Sequence, residues 1–332
     1  MQYKLNEVKD DYIITTIYIG GGTPSYIDSK YIKEIMSFFT DIEETTIEVN
    51  PGTVTEQKLR NYKEAGINRI SIGLQSTDNE LLKEIGRIHN YKQFIEAYNL
   101  ARKVGFNNIN VDLMLGLPKQ TIEDLKESLK KVIKLNPEHI SVYSLILEEG
   151  TKLYNMVEEG KVRLLDEDTE RQMYWYVKNT LELNGYMHYE ISNFAKKGYE
   201  SKHNVNCWKQ KEYIGVGLAA SSYLNGIRFS NIKDLKDYLV NDEAGKYEKS
   251  RIVEEMQSKE DKQKEFMMLG LRMIDGVSIQ EYKTRFGQNP VYLFRHELDK
   301  LVKAELLIID GDRIKLTNKG LDLANQVWME FA

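Results

Sequence analysis

The sequence predicts an α/β fold built on a parallel sheet, which is either open or curled into part of a barrel. Short runs rich in Ile, Val and Thr, bounded by Gly, Pro or Asn, recur roughly every 25–40 residues. Amphipathic segments of helical length lie between these runs. Strands that alternate with helices in this way form repeated βα units, whose strands pair in parallel. A different pattern near the C-terminus, helices followed by a hairpin and a helix, predicts a smaller second domain.

The first half of the chain supplies the βα units. The predicted strands are 15–19, 45–49, 69–73, 108–113 and 140–144. The predicted helices are 28–40, 54–65, 78–85, 91–104 and 121–134. The start of the last helix, Thr121 with Glu123 and Asp124, is typical of a helix N-terminus with an acidic first turn.

The middle of the chain, residues 151–245, has a less regular pattern. A long helix is predicted over 167–184, and the alternating segment 189–194 is predicted to be a strand. The small residues of 215–222 would let the backbone approach another backbone or a ligand closely.

A charged stretch at 241–262 predicts a domain boundary. After it, helices are predicted near 260–273, 278–285, 291–304 and 317–328, with a hairpin over 306–316 that turns at Asp310-Gly311. This order predicts a winged-helix-like α+β domain. The segment contains no dense basic recognition helix, so a packing or lid role is favoured over DNA binding. We therefore expect three parts, 1–150, 151–245 and 246–332.

Composition and charge exclude several classes of protein. The 332 residues include 46 Lys and Arg against 51 Asp and Glu, a net charge of −5, which argues against binding nucleic acid by bulk charge. No apolar run is long enough to span a bilayer, and residues 1–11 are charged, without the apolar core of a signal peptide. The single cysteine, Cys207, cannot form an internal disulfide, which favours a reducing cytoplasm.

Polar residues follow the predicted strands. Gly20–Thr23 comes directly after the first strand, where glycines allow unusual backbone angles and close approach of a ligand. Glu48, Gln75 and Asp112 end later strands, and such ends converge on one rim in a βα fold. Arg87 is suited to pair with an anionic group. The plainer alternatives are a tight turn, helix caps and a solvent-exposed arginine.

The segment from His203 to Trp208 concentrates an imidazole, an amide, a thiol and an indole. Histidine and cysteine both serve as axial ligands of haem iron. The alternatives are a structural histidine at 203 and an inert, buried thiol at Cys207.

Several segments together resemble the radical S-adenosylmethionine family that contains oxygen-independent coproporphyrinogen III oxidase, and within it the HemW-like branch, described as heme chaperones. The matching segments cover essentially the whole chain in order. They are IYIGGGTPSYI (17–27), IEVNPGTV (47–54), RISIGLQS (69–76), IGRIHN (85–90), INVDLMLGLPKQT (109–121), HISVYSLILEEGT (139–151), YEISNFAKKGYESKHNVNCW (189–208) and YIGVGLAASSYLNG (213–226).

The resemblance implies an incomplete TIM-like barrel with a C-terminal helical domain. It also implies that S-adenosylmethionine is a cofactor. The family positions that contact this cofactor correspond here to Gly21, Gly22, Thr23, Glu48, Gln75, Arg87, Asp112, Ile146 and Ser221. The family's HNxxYW segment, which has been linked to haem binding, corresponds to His203, Asn204 and Trp208, with Cys207 in the place of the tyrosine.

The printed sequence departs from the family at one further point. The family has a strand and a CxxxCxxC loop before the glycine motif, whereas here this motif begins at Gly20 and Cys207 is the only cysteine. The 4Fe–4S cluster expected for the family therefore has no ligand set in this chain. We expect Met1 to correspond to a position inside the family's first helix. The strand at 17–19 would then present an unpaired edge and make the chain less stable than a longer relative.

The leading hypothesis is a HemW-like protein of haem or porphyrin metabolism, N-terminally shortened, that acts on haem or a porphyrinogen and serves a haem-acceptor protein. Whether it is an enzyme is left open, because the cluster cysteines are missing. One alternative is a non-catalytic haem-binding protein, with a ligand from His203 or Cys207. Another is a generic phosphate-ligand βα enzyme, with Gly20–Gly22 as an anion nest and Glu48 or Asp112 as base. A third is a non-functional or incorrectly started fragment.

Overall fold

Five parallel strands pair in chain order in the computed structural model, which describes residues 12–332. They are β1 (Thr16–Ile19), β2 (Glu44–Val49), β3 (Arg69–Gln75), β4 (Ile109–Leu115) and β5 (His139–Ser144). Two antiparallel strands complete the sheet beyond β5, namely β6 (Met187–Glu190) and β7 (Asn193–Ala195). The order across the sheet is β1-β2-β3-β4-β5-β7-β6, so β1 is its edge within the described part of the chain.

Helices connect these strands and begin at the side-chain caps that the sequence provides. They are α1 (Ser29–Met36), α2 (Glu56–Glu64), α3 (Asn79–Glu84), α4 (Tyr91–Val104), α5 (Ile122–Leu135), α6 (Lys152–Glu158) and α7 (Glu167–Leu183), with a 3₁₀ turn at Pro24–Tyr26. Thr121 and Asp124 form a reciprocal capping box at the start of α5, which confirms the predicted helix start.

The two faces of the sheet differ in polarity. Every second residue of β3, namely Ile70, Ile72 and Leu74, is buried in the apolar core, together with equivalent residues of β2, β4 and β5 and of the helices. The other face carries Arg69, Ser71 and, on neighbouring strands, polar side chains that include Asn110 and His139. Parallel strands with apolar side chains on both faces have nearly continuous hydrophobic sequences. In these strands apolar and polar residues alternate instead, which indicates that the second face makes polar contacts.

The described residues divide into two compact units, 15–201 and 202–332 with 12–14. The second unit contains α8 (Lys202–Trp208), β8 (Ser221–Leu224), β9 (Ile227–Asn231), α9 (Leu235–Glu243), a 3₁₀ turn at Tyr247–Ser250 and β10 (Arg251–Met256). It continues with α10 (Lys259–Gly270), β11 (Val277–Ser278), α11 (Ile279–Phe286), α12 (Pro290–Leu293), α13 (Arg295–Lys303), β12 (Leu307–Asp310), β13 (Arg313–Leu316), α14 (Asn318–Asp322) and α15 (Ala324–Met329).

The second unit has two antiparallel sheets. Strands β8, β9 and β10 form one, and β11, β13 and β12 form the other. Residues of α10, α11, α13 and the second sheet, among them Met267, Tyr282 and Leu298, are buried in an apolar core of their own. The predicted hairpin is confirmed, and helices occupy the four predicted segments, but those at 291–304 and 317–328 are each divided in two, at Phe294 and at Leu323.

The structure corrects a further detail of the sequence prediction. The segment 189–194 is not one strand, because a turn at 191–192 separates β6 from β7. The charged stretch 241–262, where the sequence predicts a boundary, contains β10, which pairs with β9. The division of the chain into 1–150, 151–245 and 246–332 stays a prediction. Within residues 12–332, no helix combines the length and the apolar character needed to cross a membrane.

Candidate functional site

The glycine loop after β1 is shaped by close contacts and by an unusual backbone angle. A Cβ atom on Gly20 would lie 2.7 Å from Cε1 of Tyr18 and 3.0 Å from Oε1 of Glu48, so a side chain there would force these two groups to move. Gly21 has φ +102°, which other residues rarely adopt. Gly21 and Gly22 are exposed, and Cβ atoms on them would contact nothing within 4 Å. Their backbone is therefore open to a ligand up to Thr23, which precedes the 3₁₀ turn.

Glu48 lies on the polar face beside this loop. The hydroxyl of Tyr18 donates a 2.8 Å hydrogen bond to its Oε1. Burial raises the pKa of Glu48, and the nearby Asp112 carboxylate raises it further. The Tyr18 hydroxyl and the backbone N–H of Gly21 oppose this by stabilising the ionised form. The Gly21 N–H is thus already engaged by a carboxylate.

Gln75, at the end of β3, is held in a strained conformation. It has φ +71° and follows a β-bulge between Gly73 and Gln75. The Leu74 carbonyl accepts hydrogen bonds from the Ser76 N–H at 3.0 Å and from His89 Nε2 at 3.2 Å. This conformation is rare for a residue with a side chain and persists only where its surroundings fix it.

The Gln75 amide and the Asp112 carboxylate both lie near Gly73. A Cβ atom placed on Gly73 would lie 3.2 Å from Nε2 of Gln75 and 4.0 Å from Oδ2 of Asp112. The absence of a side chain at Gly73 therefore leaves room for the two polar groups on either side of it.

Asp112 accepts a hydrogen bond at each of its two carboxylate oxygens. Its Oδ1 accepts a 2.7 Å hydrogen bond from Asn110 Nδ2, and its Oδ2 accepts a 3.3 Å hydrogen bond from the Ser71 hydroxyl. Burial raises the pKa of Asp112, while the Asn110 hydrogen bond and the positive charge of Arg69 lower it. Asp112 is partly accessible despite these neighbours, so a ligand can reach it.

Arg87 adds a positive charge to the same region. Its side chain is half-buried and makes no ion pair within residues 12–332. Burial lowers the pKa of Arg87, and the Asp112 carboxylate opposes this change. A partly desolvated guanidinium that makes no direct ion pair is suited to bind a carboxylate of a ligand.

Strand register explains how residues far apart in sequence meet here. One row across the polar face contains Glu48, Ser71, Asn110 and His139. The next row contains Gly73, Asp112, Ser141 and Asn193. Sequence reasoning did not identify Tyr18, Ser71, Asn110 or His139 as site residues. Ser71, Asn110 and His139 could have been identified from the sequence, because polar residues occupy every second position of strands that are otherwise rich in Ile and Val.

The geometry favours a ligand that carries both signs of charge. Two carboxylates, Glu48 and Asp112, favour a cation or a sugar diol, whereas Arg87 favours an anionic group. A phosphate on the glycine loop would lie beside Glu48, to which the Gly21 N–H already points. The geometry therefore speaks against the anion nest of the phosphate-enzyme alternative.

Two further predicted positions lie on other segments of the chain. Ile146 follows β5 and is 79% exposed. Ser221 is the first residue of β8, is exposed and belongs to the second unit. Their contribution to a cofactor site stays a prediction.

The haem candidates lie on α8. His203 and Cys207 are four residues apart on this helix, so both can face the same ligand. Both are partly exposed, and burial raises the pKa of the Cys207 thiol while Arg228 opposes the change. Trp208 has a packing role, because the Arg272 guanidinium lies 4.2 Å from its ring centroid. Asn204 lies on the same helix.

The residues present do not fit an iron–sulfur cluster. Such a cluster is normally held by several thiolates, and the printed sequence has only Cys207. In the part of the chain that the structure describes, no three His, Cys, Asp or Glu side chains are grouped to hold a metal ion.

Two family profiles match the sequence. That of the Radical SAM superfamily matches residues 3–132, and that of the HemN C-terminal domain matches residues 257–323.

Curated relatives match nearly the full length of the chain. A protein of Lactococcus lactis named "Heme chaperone HemW" is 39% identical over 324 residues, which cover 96% of this chain and 84% of the relative. The protein of the same name in Bacillus subtilis is 37% identical over 327 residues, which cover 96% of this chain and 85% of the relative.

A solved structure shares the fold. Coproporphyrinogen III oxidase (HemN) from Escherichia coli, described as a radical SAM enzyme, superimposes with a TM-score of 0.81 at 23% identity. The superposition covers 96% of this chain and 77% of that protein. At this identity the likeness shows the fold, and it agrees with the incomplete barrel and the C-terminal domain expected from the sequence.

Proposed function

Because the chain belongs to the HemW family of radical S-adenosylmethionine proteins, we propose that it is a heme chaperone that binds S-adenosylmethionine on the polar face of its sheet and haem at α8. The relatives that establish the family are named heme chaperones, whereas the likeness to the oxidase shows only the fold. We therefore favour haem transfer to an acceptor protein over porphyrinogen oxidation. The single cysteine supports a cytoplasmic location.

The observation that carries the proposal is the pair of carboxylates beside an open glycine loop. S-adenosylmethionine carries a sulfonium cation, an ammonium group, a carboxylate and a ribose diol. Glu48 and Asp112 supply acceptors for the cationic groups and the diol, and Arg87 supplies a donor for the carboxylate. The exposed backbone of Gly22, and that of Gly21 apart from its N–H, supplies further polar contacts, and Thr23 and Gln75 are proposed to contact the same ligand.

In radical S-adenosylmethionine proteins, the cofactor supplies a 5′-deoxyadenosyl radical when an iron–sulfur cluster donates an electron to it. The residues present do not fit that cluster, so the proposal for this chain is confined to binding. Its own residues hold the ligand's charged groups, with the Glu48 and Asp112 carboxyl groups fixed beside them by hydrogen bonds. Without a cluster to coordinate the methionine part, we expect binding weaker than micromolar.

Titration calorimetry and ligand-observed NMR with S-adenosylmethionine test this part of the proposal. We expect weak but saturable binding, and the variant Asp112→Asn should lower the affinity about tenfold. The matched control is Glu127→Gln, which changes an exposed carboxylate on α5 and should bind as the unmodified chain does. Equal binding by Asp112→Asn, or no binding at all by the unmodified chain, would refute the proposed site.

Haem binding is proposed at α8 because an imidazole and a thiol lie one turn apart and are accessible there. His203 or Cys207 would supply a protein ligand to the haem iron. The test is a haemin titration followed at the Soret band. We expect a shift that is lost or reduced in His203→Ala or Cys207→Ser and kept in His296→Ala, which changes an exposed histidine of the same unit. A haemin spectrum unaffected by the unmodified protein would contradict the haem site.

A further inference from the structure

A chain of hydrogen bonds runs beneath the candidate site from Tyr189 to Asp112. The Tyr189 hydroxyl lies 2.8 Å from His139 Nε2, and His139 Nδ1 lies 2.6 Å from Asn110 Oδ1. Asn110 Nδ2 then donates to Asp112 Oδ1 at 2.7 Å. His139 and Asn110 are buried at 0% and 2% exposure, so water does not compete for these contacts.

The ionised carboxylate at one end fixes the direction of every bond in the chain. Asp112, when ionised, only accepts hydrogen bonds, so the Asn110 amide must turn its NH₂ group toward Asp112 and its carbonyl oxygen toward His139. His139 Nδ1 must therefore carry the proton that bonds this oxygen. In a neutral imidazole Nε2 is then an acceptor, which receives the proton of the Tyr189 hydroxyl.

The neighbours of this chain agree with the same directions. The Ser201 N–H donates to the Tyr189 oxygen at 3.2 Å, which leaves the Tyr189 proton for His139. Asn110 Nδ2 also donates to Ser71 Oγ at 2.8 Å, and the Ser71 hydroxyl can then donate to Asp112 Oδ2. Each donor in the group has an acceptor, and the group as a whole points toward Asp112.

We propose that His139 is a positioning residue which, as the neutral Nδ1–H tautomer, orients Asn110 and through it holds the Asp112 carboxylate toward the ligand. This inference rests on the proposed S-adenosylmethionine site and adds a residue that makes no contact with the ligand. The alternative is that His139 only fills space beneath the sheet, where its ring lies edge-on to Tyr189.

The surrounding charges keep this arrangement in one protonation state near neutral pH. Burial, together with the positive charge of Arg69 on β3, holds the pKa of His139 well below its usual value. Asp112 is faced by Arg69 from β3, by Glu48 from β2 and by Arg87 from the segment after α3. Tyr143 on β5 and Tyr18 on β1 also face Asp112, and both remain neutral because burial raises their pKa values.

Two substitutions at position 139 separate positioning from packing. His139→Asn places an amide nitrogen close to the position of Nδ1 and keeps this donor for Asn110. His139→Leu keeps bulk and removes the imidazole donor, so that only the Ser141 hydroxyl, at 3.1 Å, still donates to Asn110 Oδ1. The first readout is the pKa of Asp112, measured by NMR on carboxyl-labelled protein. We expect His139→Leu to raise it by about one unit and His139→Asn to leave it nearly unchanged.

The second readout is the affinity for S-adenosylmethionine itself. We expect a loss of about tenfold in His139→Leu and recovery to within about threefold in His139→Asn. Equal values for the two variants in both readouts, or an unchanged Asp112 pKa in His139→Leu, would overturn the inference. If the unmodified chain does not bind S-adenosylmethionine, the proposed function fails, whereas the Asp112 pKa still decides whether His139 positions the carboxylate.

A milder variant serves if His139→Leu does not fold. Tyr189→Phe removes only the hydroxyl that donates to His139 Nε2 and leaves the Asn110 oxygen that faces Nδ1. ¹⁵N NMR should show the His139 proton on Nδ1 in the unmodified protein and also in Tyr189→Phe, because Asn110 Oδ1 still accepts it. A proton found on Nε2 in the unmodified protein would contradict the inference directly.

Discussion

The Tyr18 hydroxyl donates a 2.8 Å hydrogen bond to Glu48 across the first two strands of the sheet. The same two side chains lie so close to Gly20 that a Cβ atom there would overlap with them. The glycine loop, the tyrosine and the carboxylate are therefore one packed group, and changes to any of them should affect the others.

Removal of the Tyr18 hydroxyl should raise the pKa of Glu48. Burial already raises this pKa, and the Tyr18 hydrogen bond opposes the effect by stabilising the ionised form. In Tyr18→Phe, NMR titration of the Glu48 carboxyl should show a further upward shift. Tyr26→Phe, which removes an exposed hydroxyl near the loop, is the control. An unchanged or lower value in Tyr18→Phe would show that the hydrogen bond does not stabilise the carboxylate.

Gly20→Ala should destabilise the unit formed by residues 15–201, whereas Gly22→Ala should not. Gly20→Ala forces Tyr18 and Glu48 apart, and such overpacking typically costs about 1–3 kcal/mol. Gly22→Ala meets open space and should change the free energy of unfolding by less than about 0.5 kcal/mol. Urea unfolding of the two variants measures the difference, and equal stabilities would contradict the packing described here.

Because of the buried His188, the free energy of unfolding should fall in mild acid. Its ring stacks on Phe194 with 4.6 Å between centroids, and burial lowers its pKa to about 4. Between the ordinary histidine pKa near 6.5 and about 4, the unfolded chain binds a proton that the native state excludes, so stability falls as the pH falls through this window.

The variant His188→Phe isolates this effect from that of the other buried histidines. Between pH 7 and pH 5, it should lose about 2 kcal/mol less stability than the unmodified chain. His296→Phe, at an exposed position, should behave as the unmodified chain does. Chemical unfolding at both pH values provides the test, and parallel losses in all three proteins would refute the assignment.

Local sequence was enough to predict the sheet, because its strands are marked by β-branched residues. The prediction for β3 ended at residue 73, whereas the strand continues to Gln75 through a bulge. A bulge depends on the neighbouring strand, so local sequence does not contain it. In the same way, the charged residues around Ile252 and Val253 hid the exposed strand β10, which is defined by its pairing with β9.

The candidate site could be predicted only in part for the same reason. Glu48, Gln75 and Asp112 were identified because they end strands whose carboxyl ends share one rim. Tyr18 and His139 were missed because their partners lie 30 and 29 residues away and meet them only through strand register. Asn110 was missed because the role of a polar residue within a strand becomes evident only when the residues beside it on the neighbouring strands are known.

The most direct test of S-adenosylmethionine binding on the polar face is an amide NMR titration of the full chain with this ligand. We expect saturable shifts of the backbone amides of Gly21, Gly22 and Gln75, with a midpoint about tenfold higher in Asp112→Asn. Titration to saturation with no movement of these three amides, or with movement only elsewhere in the chain, would contradict it.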